Sequence, residues 1–253
     1  MSGQELRGVE QVAPSTHVTA EEALALHARG RPGKIEITPT KPLTTAREPD
    51  LAYLLEAGAG IAGVAAHVPL TRIDNEFDTV VDEMHILGVK HLIIPWLPPE
   101  QRNDAGYDHV IATLTKRAPE ARDAGLRMGY HNHEFEFIKD ENGIFPFDRI
   151  AESTDPDLVS LEIDCGWVQY AGQDPVAIIQ QYSSRVPLLH AKEEQVDGVE
   201  DLPAPGSGPM PWAAIVAAGN AAGSEYFIAE DDKPRDPMAT AAAAFTNLTK
   251  LVS

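Results

Sequence analysis

Residues 159–193 read VSLEIDCGWVQYAGQDPVAIIQQYSSRVPLLHAKE. The stretch opens on an apolar run, 159–164, that ends in an acid. A helical segment follows, DPVAIIQQY, with Pro175 in a first-turn position where its missing N–H costs nothing. A second apolar run, 186–191, carries His190 near its end. Strand, helix and strand in this length make the repeating unit of a parallel sheet.

The same alternation extends in both directions. Further candidate strands lie at 8–13, 34–38, 61–67, 90–96, 127–133 and 225–230, which makes eight. Helical segments separate them. TAEEALALHARG carries Thr19 and Glu22 at capping-box spacing and Gly30 as a stop. NEFDTVVDEMHILG places Phe77, Val80, Val81, Met84 and Leu87 on one face, with Asp74 or Asn75 as its cap and Gly88 as its end. MPWAAIVAAGNAAG has Pro211 in its first turn. Residues 138–147 read as a loop or hairpin insert. Residues 193–211 read as a long acidic loop following the seventh strand.

Eight β/α units over one undivided chain predict an α/β fold, a single (β/α)8 TIM barrel spanning 1–253. A doubly wound sheet is the rival, but GVEQVAPSTH lacks a glycine-rich phosphate loop. The length suits one such barrel, which runs to roughly 250 residues.

Charge narrows the partners. The chain has 20 Lys+Arg and 39 Asp+Glu, and 20 − 39 gives −19. Such a surface repels nucleic-acid phosphates and anionic lipid, so no nucleic-acid or membrane partner is expected. Small neutral molecules and cations are the expected partners. Cys165 is the only cysteine, which excludes an internal disulfide and a multi-cysteine zinc site. No apolar run reaches about 18 residues, and MSGQELRGVE has no apolar signal core, so a cytoplasmic setting is the default expectation. Oligomeric state stays open.

Barrel active sites form where strands end. Strand two carries Glu36, and strand three ends at His67. Strand five runs into His131, His133, Glu134 and Glu136. Strand six carries Glu162 and Asp164, strand seven ends at His190 with Lys192 beyond, and strand eight ends at Glu230, Asp231 and Asp232. Gathered on one rim, these oxygens and nitrogens suit Mn²⁺, Co²⁺, Zn²⁺ or Mg²⁺.

Four segments, GYHNHEFEF (129–137), LEIDCGW (161–167), LLHAKE (188–193) and FIAEDD (227–232), resemble the sugar phosphate isomerase/epimerase group with the xylose isomerase-like barrel. AHVPL (66–70) and HLIIPWLPPEQR (91–102) extend the likeness, which covers about residue 60 to the end. The resemblance implies one divalent metal, Mn²⁺ before the others, held by Glu136, Asp164, His190 and Glu230. Glu134 and His131 are the other candidates for the strand-five ligand. It further implies proton abstraction α to a sugar carbonyl, with Glu136 and Glu230 as a base pair across the substrate. Isomerisation or epimerisation is the first expectation. Elimination from a keto-sugar or keto-glycoside is the alternative, with His131 or His133 protonating the leaving oxygen. A non-catalytic carbohydrate-binding barrel is the third reading. Lys192 is expected to stabilise a developing oxyanion. His67, Trp167 and Glu36 are expected at the substrate.

Structural readings stand beside these. His131 and His133 would bond loop backbone, Glu136 would be a solvated loop residue, and Asp231 and Asp232 would be solvated. Glu162 would form a polar layer paired with Lys192 or Arg127. Many epimerases place a histidine three residues after the strand-six acid, where this chain has Trp167. Residues 1–58 match the family poorly.

Overall fold

A computed structural model describes residues 10–11, 33–37, 61–196, 198–199 and 202–252. The helix expected over 19–30 lies outside the described residues. Among the described residues, eight strands form one sheet. They are β1 (Glu10–Gln11), β2 (Gly33–Ile37), β3 (Ile61–His67), β4 (His91–Ile94), β5 (Arg127–His131), β6 (Val159–Asp164), β7 (Leu188–Ala191) and β8 (Tyr226–Ala229). Every pairing is parallel, in the order β1-β8-β7-β6-β5-β4-β3-β2. The two ends of that order, β1 and β2, also lie beside each other. This is the expected barrel.

The helices are α1 (Leu70–Asn75), α2 (Phe77–Leu87), α3 (Asp104–Asp123), α4 (Pro146–Glu152), α5 (Cys165–Tyr170), α6 (Pro175–Gln181), α7 (Trp212–Ala222) and α8 (Pro237–Val252). Among the described residues no helix is long and apolar enough to cross a membrane.

Side chains alternate along each strand, so every strand has an outer and an inner row. On β6, Leu161 and Ile163 point outward into a core shared with Phe147, Ile179 and Ile215 of the helices. On β4 and β5, Leu92, Ile94, Met128 and Tyr130 do the same against α2 and α3. The inner rows meet inside the barrel. There Ala65, Ile93, Leu188 and Ile228 pack with Val64 as a small apolar plug. Gly129 faces this interior, and a Cβ there would stand 2.5 Å from Ser160 Oγ and 2.8 Å from Ile93 Cδ1. His67 and His190 lie two residues beyond Ala65 and Leu188, so the inner rows turn polar as they approach the C-terminal rim.

Two caps differ from expectation. Pro69 starts a helix early, and Asn75 ends it, so α2 begins after Glu76 with no side-chain cap. Asp74 instead accepts a hydrogen bond from the Thr113 hydroxyl at 2.8 Å. Pro211 precedes α7 rather than opening it. Gly88 does end α2 in the left-handed region, at φ 68°. The 138–147 insert is a loop up to Phe145, turned by Asp140, whose Oδ1 accepts from the amides of Asn142 and Ile144.

Candidate metal centre

Register brings the inner-row residues side by side. His131 pairs with Glu162 across β5 and β6, and Asp164 pairs with His190 across β6 and β7. Glu230 follows β8 directly, its amide bonded to the Ala191 carbonyl. Two groups of ligand atoms result, each within 4.8 Å of one another: Asp164, His190 and Glu230 at the rim, and His67, His131, Glu162 and His190 just beneath.

At the rim, His190 Nδ1 lies 2.8 Å from Glu230 Oε2. The Lys192 ammonium lies 2.6 Å from Asp232 Oδ2, 3.4 Å from Glu230 Oε2 and 3.7 Å from Asp164 Oδ2. Asp164 Oδ1 accepts the Trp167 amide at 2.9 Å and so caps α5. Its Oδ2 is buried and accepts no hydrogen bond. A buried carboxylate oxygen without a donor is unfavourable unless a positive charge faces it. Here the Lys192 ammonium faces it at 3.7 Å, beyond hydrogen-bond distance, and the two carboxylates and the imidazole together suit a divalent cation.

The charges of the rim act directly on one another. Burial opposed by Lys192 and reinforced by Glu230 leaves Asp164 pushed up to about 7. Burial would raise Glu230 too, but Lys192 and His190 overcome it and hold it well below the usual carboxylate range. Burial acts to lower Lys192, yet Glu230, Asp164 and Asp232 outweigh it and keep the ammonium protonated. Lys192 also sits over the Trp167 ring, 4.7 Å from its centroid.

Trp167 and His133 form a wall beside the rim, with ring centroids 5.6 Å apart. The Trp167 indole Nε1 and His133 Nδ1 are both buried without a hydrogen-bond partner. Burial first, then the charges of His131 and Lys192, push His133 down to about 2, so its imidazole is neutral.

Other expectations require correction. Glu136 does not reach either group. Its Oε1 accepts from the Tyr130 hydroxyl at 2.6 Å and its Oε2 from the His133 amide at 2.8 Å. Tyr130 precedes His131 on β5 and therefore faces the opposite side, toward the helices. Glu136 follows it there, and burial pushes its carboxyl up to about 7 despite both bonds. Glu134 is part-buried and joins neither group. Asp232 is not simply solvated, since it holds Lys192.

Glu162 pairs with neither expected partner. Arg127 bonds Glu225 instead, and Lys192 bonds the rim acids. Glu162 Oε2 lies 2.5 Å from His67, 3.0 Å from His131 and 3.4 Å from His190. His67 and His131 therefore belong to the layer beneath the rim. Glu36 lies in β2 opposite Ala65, and its side chain is outside the described part.

Two residues that position the site were not singled out from sequence. Asn132 bonds both backbone groups of Asp164, donating to its carbonyl at 3.3 Å and accepting from its amide at 3.0 Å. Glu193 Oε1 accepts from the amides of Gly206 and Gly208 at 3.0 Å and from the Trp212 indole at 2.6 Å. It pins the long loop after β7 close to the rim. The signal for Glu193 was its place one residue past Lys192; Asn132 lies within the quoted GYHNHEFEF segment, between the two histidines.

Residues 10–250 match the family model described as the xylose isomerase-like TIM barrel. An inosose dehydratase of Geobacillus kaustophilus (strain HTA426) is 28% identical over 148 residues, covering 51% of this chain and 47% of that protein. The chain spans about half the length of the curated relatives it matches. A separate likeness, 63% over 82 residues, links 30% of this chain to 11% of an NADP-dependent malic enzyme of Rhizobium meliloti (strain 1021). A solved sugar phosphate isomerase/epimerase from Parabacteroides distasonis ATCC 8503 superposes with a TM-score of 0.79 at 21% identity, covering 100% of this chain and 98% of that one. At that identity the likeness shows the fold.

Proposed function

Because the chain belongs to the xylose isomerase-like TIM-barrel family, whose matched relatives include enzymes, we propose that it is a divalent-metal-dependent lyase. Its substrate would be a small keto-sugar or keto-cyclitol, and its reaction the removal of water by β-elimination. One observation carries the choice of elimination over epimerisation. Glu136, the expected second base, is turned away from the rim, bonded to Tyr130 and His133. That leaves no carboxylate pair of Glu136 and Glu230 to work on opposite faces of one carbon. The name of the Geobacillus relative supports the same direction.

Asp164, His190 and Glu230 would hold the ion, with Mn²⁺ the first expectation. When bound, it supplies Lewis-acid polarisation of the substrate carbonyl. The remaining chemistry belongs to side chains. Lys192 and His190 keep Glu230 ionised at neutral pH, which is the state a base requires. Glu230 takes the proton α to the carbonyl, and the C–H electrons form the new double bond. The C–O bond at the β-carbon breaks, and Glu230 returns its proton to the departing oxygen, releasing water. The Lys192 ammonium offsets the negative charge that develops on the carbonyl oxygen. His133 is neutral, so it orients the leaving hydroxyl by a hydrogen bond rather than acting as the acid. Trp167 gives the ring an apolar wall.

The test is turnover of an inosose or a keto-hexose in D2O by the metal-loaded protein. Release of water with an unsaturated product is expected, and Asp164→Asn or Glu230→Gln should lower kcat/KM by more than 100-fold. Deuterium at the α-carbon with the oxygen retained would replace this reading with epimerisation. Absence of both turnover and a bound divalent ion would leave a carbohydrate-binding barrel.

A further inference from the structure

Beneath the rim lies a constellation that the proposed reaction leaves unused. His67 from β3, His131 from β5, Glu162 from β6 and His190 from β7 bring one ligand atom each within 4.8 Å of the others. All four are buried, with exposures of 9%, 2%, 0% and 1%. The His67 and His190 rings stack with centroids 5.5 Å apart. His131 meets both edge-on, at 4.8 and 4.6 Å.

A purely hydrogen-bonded cluster accounts for only half of Glu162. All three imidazoles converge on Oε2. Oε1 is buried and has no hydrogen-bond partner. The three rings offset the burial of the carboxylate and hold it ionised, but they all act on one oxygen and leave the other bare. Three imidazole nitrogens and one carboxylate oxygen are, however, a donor set for a borderline divalent ion, and four protein ligands make a closed tetrahedral site.

We propose that His67, His131, Glu162 and His190 form a second metal site, for a transition ion of the Zn²⁺ or Co²⁺ kind. The protons that now sit between the imidazoles and Glu162 leave to solvent when the ion enters. His190 faces both groups, since its Nε2 lies on the Glu162 side and its Nδ1 on the Glu230 side. Two ions bound together would share that ring through its two nitrogens as an imidazolate, the remaining ring N–H proton also leaving to solvent. With no open position, the lower ion fixes β3, β5, β6 and β7 relative to each other and sets the orientation of His190 toward the rim. The site goes beyond the proposed reaction and does not depend on it.

The probe is Co²⁺, added to the metal-stripped full chain and followed by equilibrium dialysis and by visible d–d absorption. Wild type should bind two ions and show the intense absorption of tetrahedral Co²⁺. His67→Gln and Glu162→Gln should each bind one ion and lose that absorption. Asp164→Asn should also bind one ion, but keep it. A wild type that binds a single ion, lost in Asp164→Asn and unaffected by His67→Gln, overturns the second site and leaves the rim reading intact. A protein that binds no ion overturns both. Should the variants fail to fold by circular dichroism, wild-type stoichiometry and spectrum decide alone.

Discussion

Glu136 was expected at the metal and as a base, and its carboxylate instead lies against the Tyr130 hydroxyl and the His133 amide. It lies beyond the last strand residue, where the two-residue alternation no longer tells which way a side chain points. The turn at Phe135–Phe137 carries it to the Tyr130 side. Glu162 is the converse. Its face was legible from its spacing to Asp164, but its partners come from strands far apart in sequence, and no local spacing tells which side chains lie nearest it. The burial of Glu136 has a measurable consequence. Its folded pKa is raised to about 7 from an ordinary value of 4.5, so the folded state favours the protonated form. The stability this contributes is full below the unfolded value and is lost as pH rises through about 7. A shift of that size corresponds to about 3 kcal/mol. Glu136→Gln cannot ionise and should lack this pH dependence. Denaturant unfolding from pH 4.5 to 8.5 should show wild type losing stability relative to the variant across that window. Parallel curves would show that Glu136 is not buried as described.

At the scale of elements, the strands were legible because those of a parallel barrel are buried on both faces and read as short apolar runs, with outer rows such as Leu161 and Ile163 apolar. Helix starts were less so. Asp74 and Asn75 were the expected caps, but Pro69 opens an extra turn first and the helix begins after Glu76, a tertiary outcome rather than a capping signal. The long loop after β7 read as acidic, and the place of Glu193 one residue past Lys192 was the one sign that it would organise the loop. That organisation predicts the effect of Trp212→Phe. The variant keeps an aromatic ring but removes the indole N–H that reaches Glu193 at 2.6 Å. Glu193 already has one buried oxygen without a partner. The loss should cost about 1–3 kcal/mol. Hydrogen exchange at the Gly206 and Gly208 amides should accelerate, while the Leu189 and Ile163 amides stay protected. Unchanged exchange in the loop would show that it is held by something else.

For the whole molecule, the charge of −19 first served to set partners aside, and the rim now gives part of it a place. Asp164, Glu230 and Asp232 gather around one lysine, so the rim alone is net negative. An ion bound there stabilises the native state by mass action, about 2.7 kcal/mol at a hundred times its Kd. For a domain of this size each kcal/mol moves Tm by about 2–4 °C. Chelation with EDTA should therefore lower Tm by about 5–10 °C, and Mn²⁺ should restore it. A melting curve indifferent to EDTA in wild type would argue against a resident ion at the rim. Residues 1–58 carry few of the motifs by which the barrel family is read, yet the family model matches from residue 10 onward. Only the short strands β1 and β2 are described there, and the sheet order confirms their places beside β8 and β3.

The side chain of Asn132 acts as one more rung of the β5–β6 ladder, past the point where backbone pairing stops. Asparagine is also a residue that ages. Hydrolysis of its amide would put an oxygen where the donor now stands, 3.3 Å from the Asp164 carbonyl, with no hydrogen between them. The two oxygens repel, and the rung that seats Asp164 opens. A stored preparation would then lose competence molecule by molecule. Each spent copy would carry one added negative charge and run as a more acidic species on an isoelectric gel.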